Sequence, residues 1–118
     1  MNSLDKKSTG PIDSSGDAVK DKLYKAWLVC YDVEDNKVRR RLFEALKDIG
    51  LVAVQKSVFW GLLNEAEFRA LKREARTLLD DSSDRIFWVS ADLSGKLSEQ
   101  GIGYKNFSLP SPDGYDVI

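Results

Sequence analysis

The chain has 118 residues and a formal charge of −1, from 18 lysines and arginines against 19 aspartates and glutamates. Its length suits one domain, and 42% hydrophobic residues supply a core, which excludes a disordered tail. The near-neutral balance excludes a wholly basic nucleic-acid coat but leaves room for a local basic patch.

Residues 1–23, rich in Ser, Asp, Lys and Gly, have little to bury and are expected to form a flexible extension. A single domain is expected over 24–109, followed by a loose tail over 110–118. The stretch KAWLVCYDV, residues 25–33, predicts a strand with apolar residues in both alternating sets. Trp27, Val29, Tyr31 and Val33 share one face, while Ala26, Leu28 and Cys30 share the other with Asp32. Such a strand is covered on both sides.

Asp35 or Asn36 caps a helix that Gly50 stops. Val38, Leu42, Ala45, Leu46 and Ile49 form its buried stripe, with Arg39 and Arg41 flanking that stripe on opposite sides and Arg40 pointing away. Residues 51–63 read as two short strands broken near 55–57. Asn64, with Glu67 three positions on, starts a second helix whose stripe is Phe68, Leu71, Ala75, Leu78 and Leu79. Its Arg69, Lys72, Arg73 and Arg76 are interleaved with acids and suit a solvated face. Residues 85–93 give the last strand, again apolar on both faces.

The order β-α-β-β-α-β predicts an α+β, ferredoxin-like fold, with both helices on one face of a four-stranded antiparallel sheet. Ile102, Tyr104, Phe107 and Leu109 suit an extra C-terminal strand on a sheet edge, the chain's own or a partner's. Large apolar residues also fall on the sheet face away from the helices. A homodimer stacking sheet on sheet is the simplest cover for them. No segment approaches the ~20 apolar residues of a membrane span, so the expected location is cytoplasmic.

Histidine is absent and Cys30 is the single cysteine. These absences remove His-ligated zinc, thiolate cages, intrachain disulfides and histidine-based nucleophiles. Hydrolysis here would rest on carboxylates, a metal and water. Asp32, at the end of the first strand, is either a turn former or a carboxylate for Mg2+, which needs only one or two protein carboxylates. Glu34 is an exposed neighbour, and Asp35 suits a cap better than a ligand.

Lys37, Arg39, Arg40 and Arg41 crowd the start of a helix, where cations are mildly disfavoured. They read either as a nucleic-acid-binding cluster gripping phosphate or as solvated charges paired with Glu34, Asp35 and Glu44. Phe59 and Trp60 point to opposite faces, one toward the core and the other toward an interface. Tyr31 packs or orients Asp32 rather than serving as an acid. Ser57 is a turn or strand residue with no histidine to activate it.

The stretches YDVEDNKVRRRLFEALKDIGL and VQKSVFWGLL together resemble the CRISPR-associated Cas-two family, small ferredoxin-like dimeric proteins of spacer acquisition. The resemblance covers residues 25–93. It implies that Asp32 binds Mg2+ facing its mate across a dimer axis. It also implies that Tyr31, Arg39, Arg41 and Phe59 lie on positions linked to catalysis by a metal-dependent endonuclease. One departure is Ala53, where many members carry an arginine. The leading residues also run longer than the family usually does.

Two functions follow from the resemblance. One is a structural adaptor that bridges the Cas-one integrase and holds duplex DNA. The other is a Mg2+-dependent endoribonuclease or endonuclease acting on single-stranded RNA or on DNA. A related ferredoxin-like toxin ribonuclease is a further reading, and the Gly-aromatic signature of an RNA-recognition motif is missing.

Overall fold

The computed structural model describes residues 23–93, 95–110 and 116–117. In chain order its elements are β1 (Leu23–Asp32), α1 (Asn36–Ile49), β2 (Val52–Gln55), β3 (Val58–Asn64), α2 (Glu65–Leu78), β4 (Arg85–Ser90), a short α3 (Leu97–Gln100) and β5 (Asp116–Val117). Strands β2, β3, β1 and β4 lie side by side in that order, each neighbouring pair antiparallel. This is the ferredoxin-like α+β arrangement expected from the sequence.

Each helix starts where its cap dictates. Asp35 Oδ1 accepts from the backbone N–H of Lys37 at 2.9 Å and of Val38 at 3.0 Å, satisfying donors that a helix start otherwise leaves open. Gly50, with φ of 118°, closes α1 in the left-handed conformation that favours glycine. Asn64 and Glu67 form a reciprocal capping box at the start of α2, with bonds of 2.8 and 2.9 Å.

The main core lies between the helices and the sheet. Val29, Tyr31 and Val33 of β1 and its exit meet Phe59 and Leu63 of β3, Leu42 and Leu46 of α1, and Leu71 of α2. Each fully buried large side chain contributes about 1.5–3 kcal/mol relative to exposure. Phe68 of α2 stacks on Trp27 at 4.2 Å and meets Trp88 edge-on at 6.1 Å, which fixes the helix over β1 and β4.

The opposite face carries a second core. Ala26, Val54, Trp60 and Leu62 are buried there, packed by Leu93, Leu97, Tyr104 and Leu109 from the C-terminal segment. The Trp60 indole N–H donates to the Ala91 carbonyl at 2.6 Å, and the Tyr104 hydroxyl donates to Gln55 Oε1 at 3.0 Å. Phe59 and Trp60 are therefore both core residues, each 0% exposed, on opposite sides of one strand. A dimer is not the only cover for this face, because the chain folds its own segment over β2 and β3. An uncovered strip remains along β4, where Phe87 is 57% and Val89 45% exposed.

The C-terminal stretch departs from the expectation. Residues 95–110 form α3 and turns rather than a strand, because their apolar residues are widely spaced and glycines interrupt them. The extra pairing comes from β5 instead, two residues within the stretch expected to be loose, running parallel to Leu23–Tyr24. Leu23 opens β1, and the rest of the expected extension, 1–22, lies outside the described residues.

Gly61 sits where β3 passes under the α1–β2 corner. A Cβ there would stand 2.9 Å from Leu51 Cδ2 and 3.2 Å from the Gly50 carbonyl. Gly61→Ala should destabilise the fold by about 1–3 kcal/mol, read as a lower urea midpoint with an unchanged m-value.

Candidate functional site

The end of β1 and the loop after it form one wall of an open cleft of about 660 Å³. Asp32 is exposed at the strand's last position, whereas Val33 behind it is buried and plugs the corner. Asn36, Arg39, Arg40 and Phe43 line the cleft from α1. Their spacing of three, four and seven residues places them on one helix face. Lys56 and Ser57, the two-residue turn between β2 and β3, close the other side.

Arg39 holds the loop together. Its guanidinium donates to the Val33 carbonyl at 2.8 Å, to the Glu34 carbonyl at 3.3 Å and to Asn36 Oδ1. A cation at a helix start is thus offset by oxygens gathered around it. Arg40, exposed on the side of α1 away from the buried stripe as its helical position predicts, lines the cleft, and Arg41 does not. Arg39 and Arg41 flank the buried stripe on opposite sides, so one cleft cannot take both. Arg41 and Lys37, four residues apart, share a different face.

Tyr31 and Phe59 support the site from beneath. Phe59 is fully buried and touches Tyr31 at 6.1 Å and Phe43 at 5.1 Å between ring centroids. It is packed inside the core, so its part in the site is to position the rings lining the cleft. Tyr31 is 8% exposed, and its backbone N–H donates to the Ser57 carbonyl at 3.0 Å. Burial pushes the Tyr31 phenol above its ordinary value of 10.0, against smaller pulls downward from the Arg39 charge and a side-chain hydrogen bond with Ser57. The hydroxyl therefore stays protonated at neutral pH. Ser57 adopts φ of 63°, a left-handed conformation costly for a side chain of its kind.

Lys56 and Ser57 were not singled out as site residues by the sequence. The signal was the antiparallel return of β3 along β1: once Cys30 pairs with Val58, the preceding turn must lie beside Tyr31 and Asp32.

Asp32 projects on the sheet face away from the helices, directly opposite Arg85 of β4 in register. Among the described residues, no group of three or more His, Cys, Asp or Glu side chains could hold a metal. Asp35 is committed to its cap. One chain thus offers one free carboxylate flanked by a cation. A lone carboxylate is a hard oxygen ligand of the type Mg2+ accepts, and it would supply only part of such a site. Cys30, half-buried beside this row, has its thiol pushed up by burial and is kept in the inert protonated form.

The family described as "CRISPR associated protein Cas2" matches residues 25–94. A protein of Francisella tularensis subsp. novicida named "CRISPR-associated endoribonuclease Cas2 1" is 38% identical over 99 residues, 81% of this chain and 98% of that protein. A "CRISPR-associated endoribonuclease Cas2" of Desulforudis audaxviator is 35% identical over 92 residues, 65% of this chain and 87% of the relative. Among solved structures, Cas2 of Streptococcus pyogenes superposes with a TM-score of 0.57 at 26% identity, covering 66% of this chain and 99% of that one. A hypothetical protein of Thermus thermophilus gives 0.55 at 35% identity, covering 58% and 83%.

The Ser57–Tyr31 bond can be read directly. Ser57→Ala removes a contact that draws the Tyr31 titration down, so the phenol should ionise at still higher pH. The measurement is an ultraviolet titration with Tyr31→Phe as the difference reference. Because the folded state favours the neutral phenol, the stability tied to Tyr31 is intact below pH 10.0 and is lost as pH rises through the folded value.

Proposed function

The chain belongs to the CRISPR-associated Cas2 family, and from that premise we propose that it works as a homodimer that binds nucleic acid in spacer acquisition and cuts phosphodiester bonds with Mg2+. The observation carrying this reading is the exposed Asp32 carboxylate at the edge of a cleft lined by Arg39, Arg40 and Lys56. A carboxylate beside cations recruits a metal and a phosphate together more readily than either alone.

Asp32 would hold Mg2+ jointly with Asp32 of a second copy. When bound, Mg2+ supplies Lewis acidity to a phosphoryl oxygen and acidifies an attacking water. The chain's own groups do the rest. Arg39 fixes the loop after Asp32 through two carbonyls. Arg40 balances charge that accumulates on the scissile phosphate. Tyr31, protonated and anchored to Ser57, props the end of β1 rather than exchanging a proton.

The uncovered strip of Cys30, Phe87 and Val89 is continuous with Asp32 on the same sheet face. That continuity supports a dimer in which two such strips meet and the two carboxylates approach. The relatives' names support RNA as a substrate, and the cations lining the cleft support phosphate contacts with duplex DNA that would be delivered to the Cas-one integrase. Ala53 favours the second reading, a structural adaptor without turnover. It packs against the main core opposite Phe59, so the charge many members carry at this place is missing.

Labelled RNA and DNA incubated with Mg2+ or with chelator should distinguish these readings. Asp32→Ala should reduce cleavage to the chelated level while leaving the dimer intact by sedimentation. Equal cleavage by the variant would remove the catalytic reading and leave the adaptor. Separately, Phe87→Arg should shift the protein to monomer and abolish metal-dependent cleavage, with its circular dichroism unchanged because Phe87 is 57% exposed.

A further inference from the structure

The cationic groups around Asp32 are not equivalent, and the structure sorts them. Arg39 is engaged by the Val33 and Glu34 carbonyls and by Asn36. Arg41 and Lys37 face away from the cleft. Arg40 remains on the α1 wall, exposed and, among the described residues, without a hydrogen-bond or ion-pair partner. Lys56 stands on the facing wall in the same condition.

We propose that Lys56 and Arg40 form a two-sided clamp for one phosphate of a nucleic-acid backbone across this cleft, with Lys56 as a contact outside the arginine run. Arg39 acts only as a positioning residue for the clamp, and Arg41 with Lys37 contributes no contact. The inference rests on the nucleic-acid reading above.

An exposed lysine is ordinarily a poor candidate for a defined contact, since its stem is flexible. Here its backbone is pinned on both sides. Gln55 pairs with Val58 across a turn of only Lys56 and Ser57. The Ser57 carbonyl is tied to Tyr31 N–H at 3.0 Å, and Ser57 is held at φ of 63°. A strained residue persisting beside a cleft is a frequent mark of a functional position. So held, Lys56 lines the same cleft that Arg40 enters from the helix. The two cations differ in kind: a planar fork on one wall and a point charge on the other. That combination suits a tetrahedral phosphate approached from two directions and carries no base specificity.

The test measures affinity for a fluorescein-labelled DNA duplex and, in parallel, a single-stranded RNA across a salt series. Each lost phosphate contact lowers the slope of log K against log salt by about 0.9 on duplex and about 0.7 on single strands. Lys56→Gln and Arg40→Gln should each lower the slope, by up to that amount for every clamp occupied and uniformly across sequences, and the double variant by the full amount, while Lys56→Arg retains the slope. Arg41→Gln and Lys37→Gln should leave it unchanged. Circular dichroism establishes that each variant is folded. Salt-dependent binding whose slope falls with Arg41→Gln or Lys37→Gln, and not with Lys56→Gln, overturns the clamp while sparing the nucleic-acid reading. Absence of salt-dependent binding to either probe by the unaltered protein overturns both. A slope loss on only one probe retains the clamp and assigns it to that nucleic acid.

Discussion

Everything in this fold depends on β1 being a central strand with no polar face. It hydrogen-bonds β3 on one edge and β4 on the other, and its side chains enter a core on each side. A strand so flanked exposes a side chain fully only at its end. Asp32 is that end, the first exposed side chain after nine residues of buried or half-buried strand. The site therefore lies where the sheet stops being able to bury what the chain supplies. The loop that follows must turn at once, and Val33 and Asp35 make it turn by plugging the core and capping α1.

Much of the architecture was legible because local signals agreed with one another. Caps at Asp35 and Asn64, the stop at Gly50 and the helical stripes each point to the same boundaries. The break expected near Gln55 to Ser57 falls at the Lys56–Ser57 turn. The alternating patterns also showed that both sheet faces are apolar, though not what covers them. Leu93, Leu97, Tyr104 and Leu109 follow neither a helical nor a strand period. They are chosen by the shape of the surface around Trp60, which only the folded sheet presents. Periodicity carries no information about such a segment.

The candidate site was legible in part for a related reason. Asp32 and the arginines are contiguous in sequence, so their proximity needs no tertiary knowledge. The division of the arginine run does. It depends on which side of the α1 stripe faces the Lys56–Ser57 turn, and that is set by the pairing of β3 with β1. Phe59 is one strand position from Trp60, and the sequence could not show that both are enclosed. Its value to the site is indirect: a ring wedged between Phe43 and Tyr31 keeps two cleft walls at a fixed separation. Arg39 is similar, since its guanidinium also bridges the loop after β1 by donating to the Val33 and Glu34 carbonyls, a bond pattern the sequence does not display.

The parallel pairing of Leu23–Tyr24 with Asp116–Val117 places the chain's entry into the domain and its last described strand side by side. Both lie at the opposite end of β1 from Asp32, about 30 Å away at the rise of a strand. The domain is thus polar in the geographical sense: the described start of β1 and β5 lie at one pole and the candidate site at the other. Immobilising the protein through the first pole would present Asp32 outward, toward whatever is brought to it.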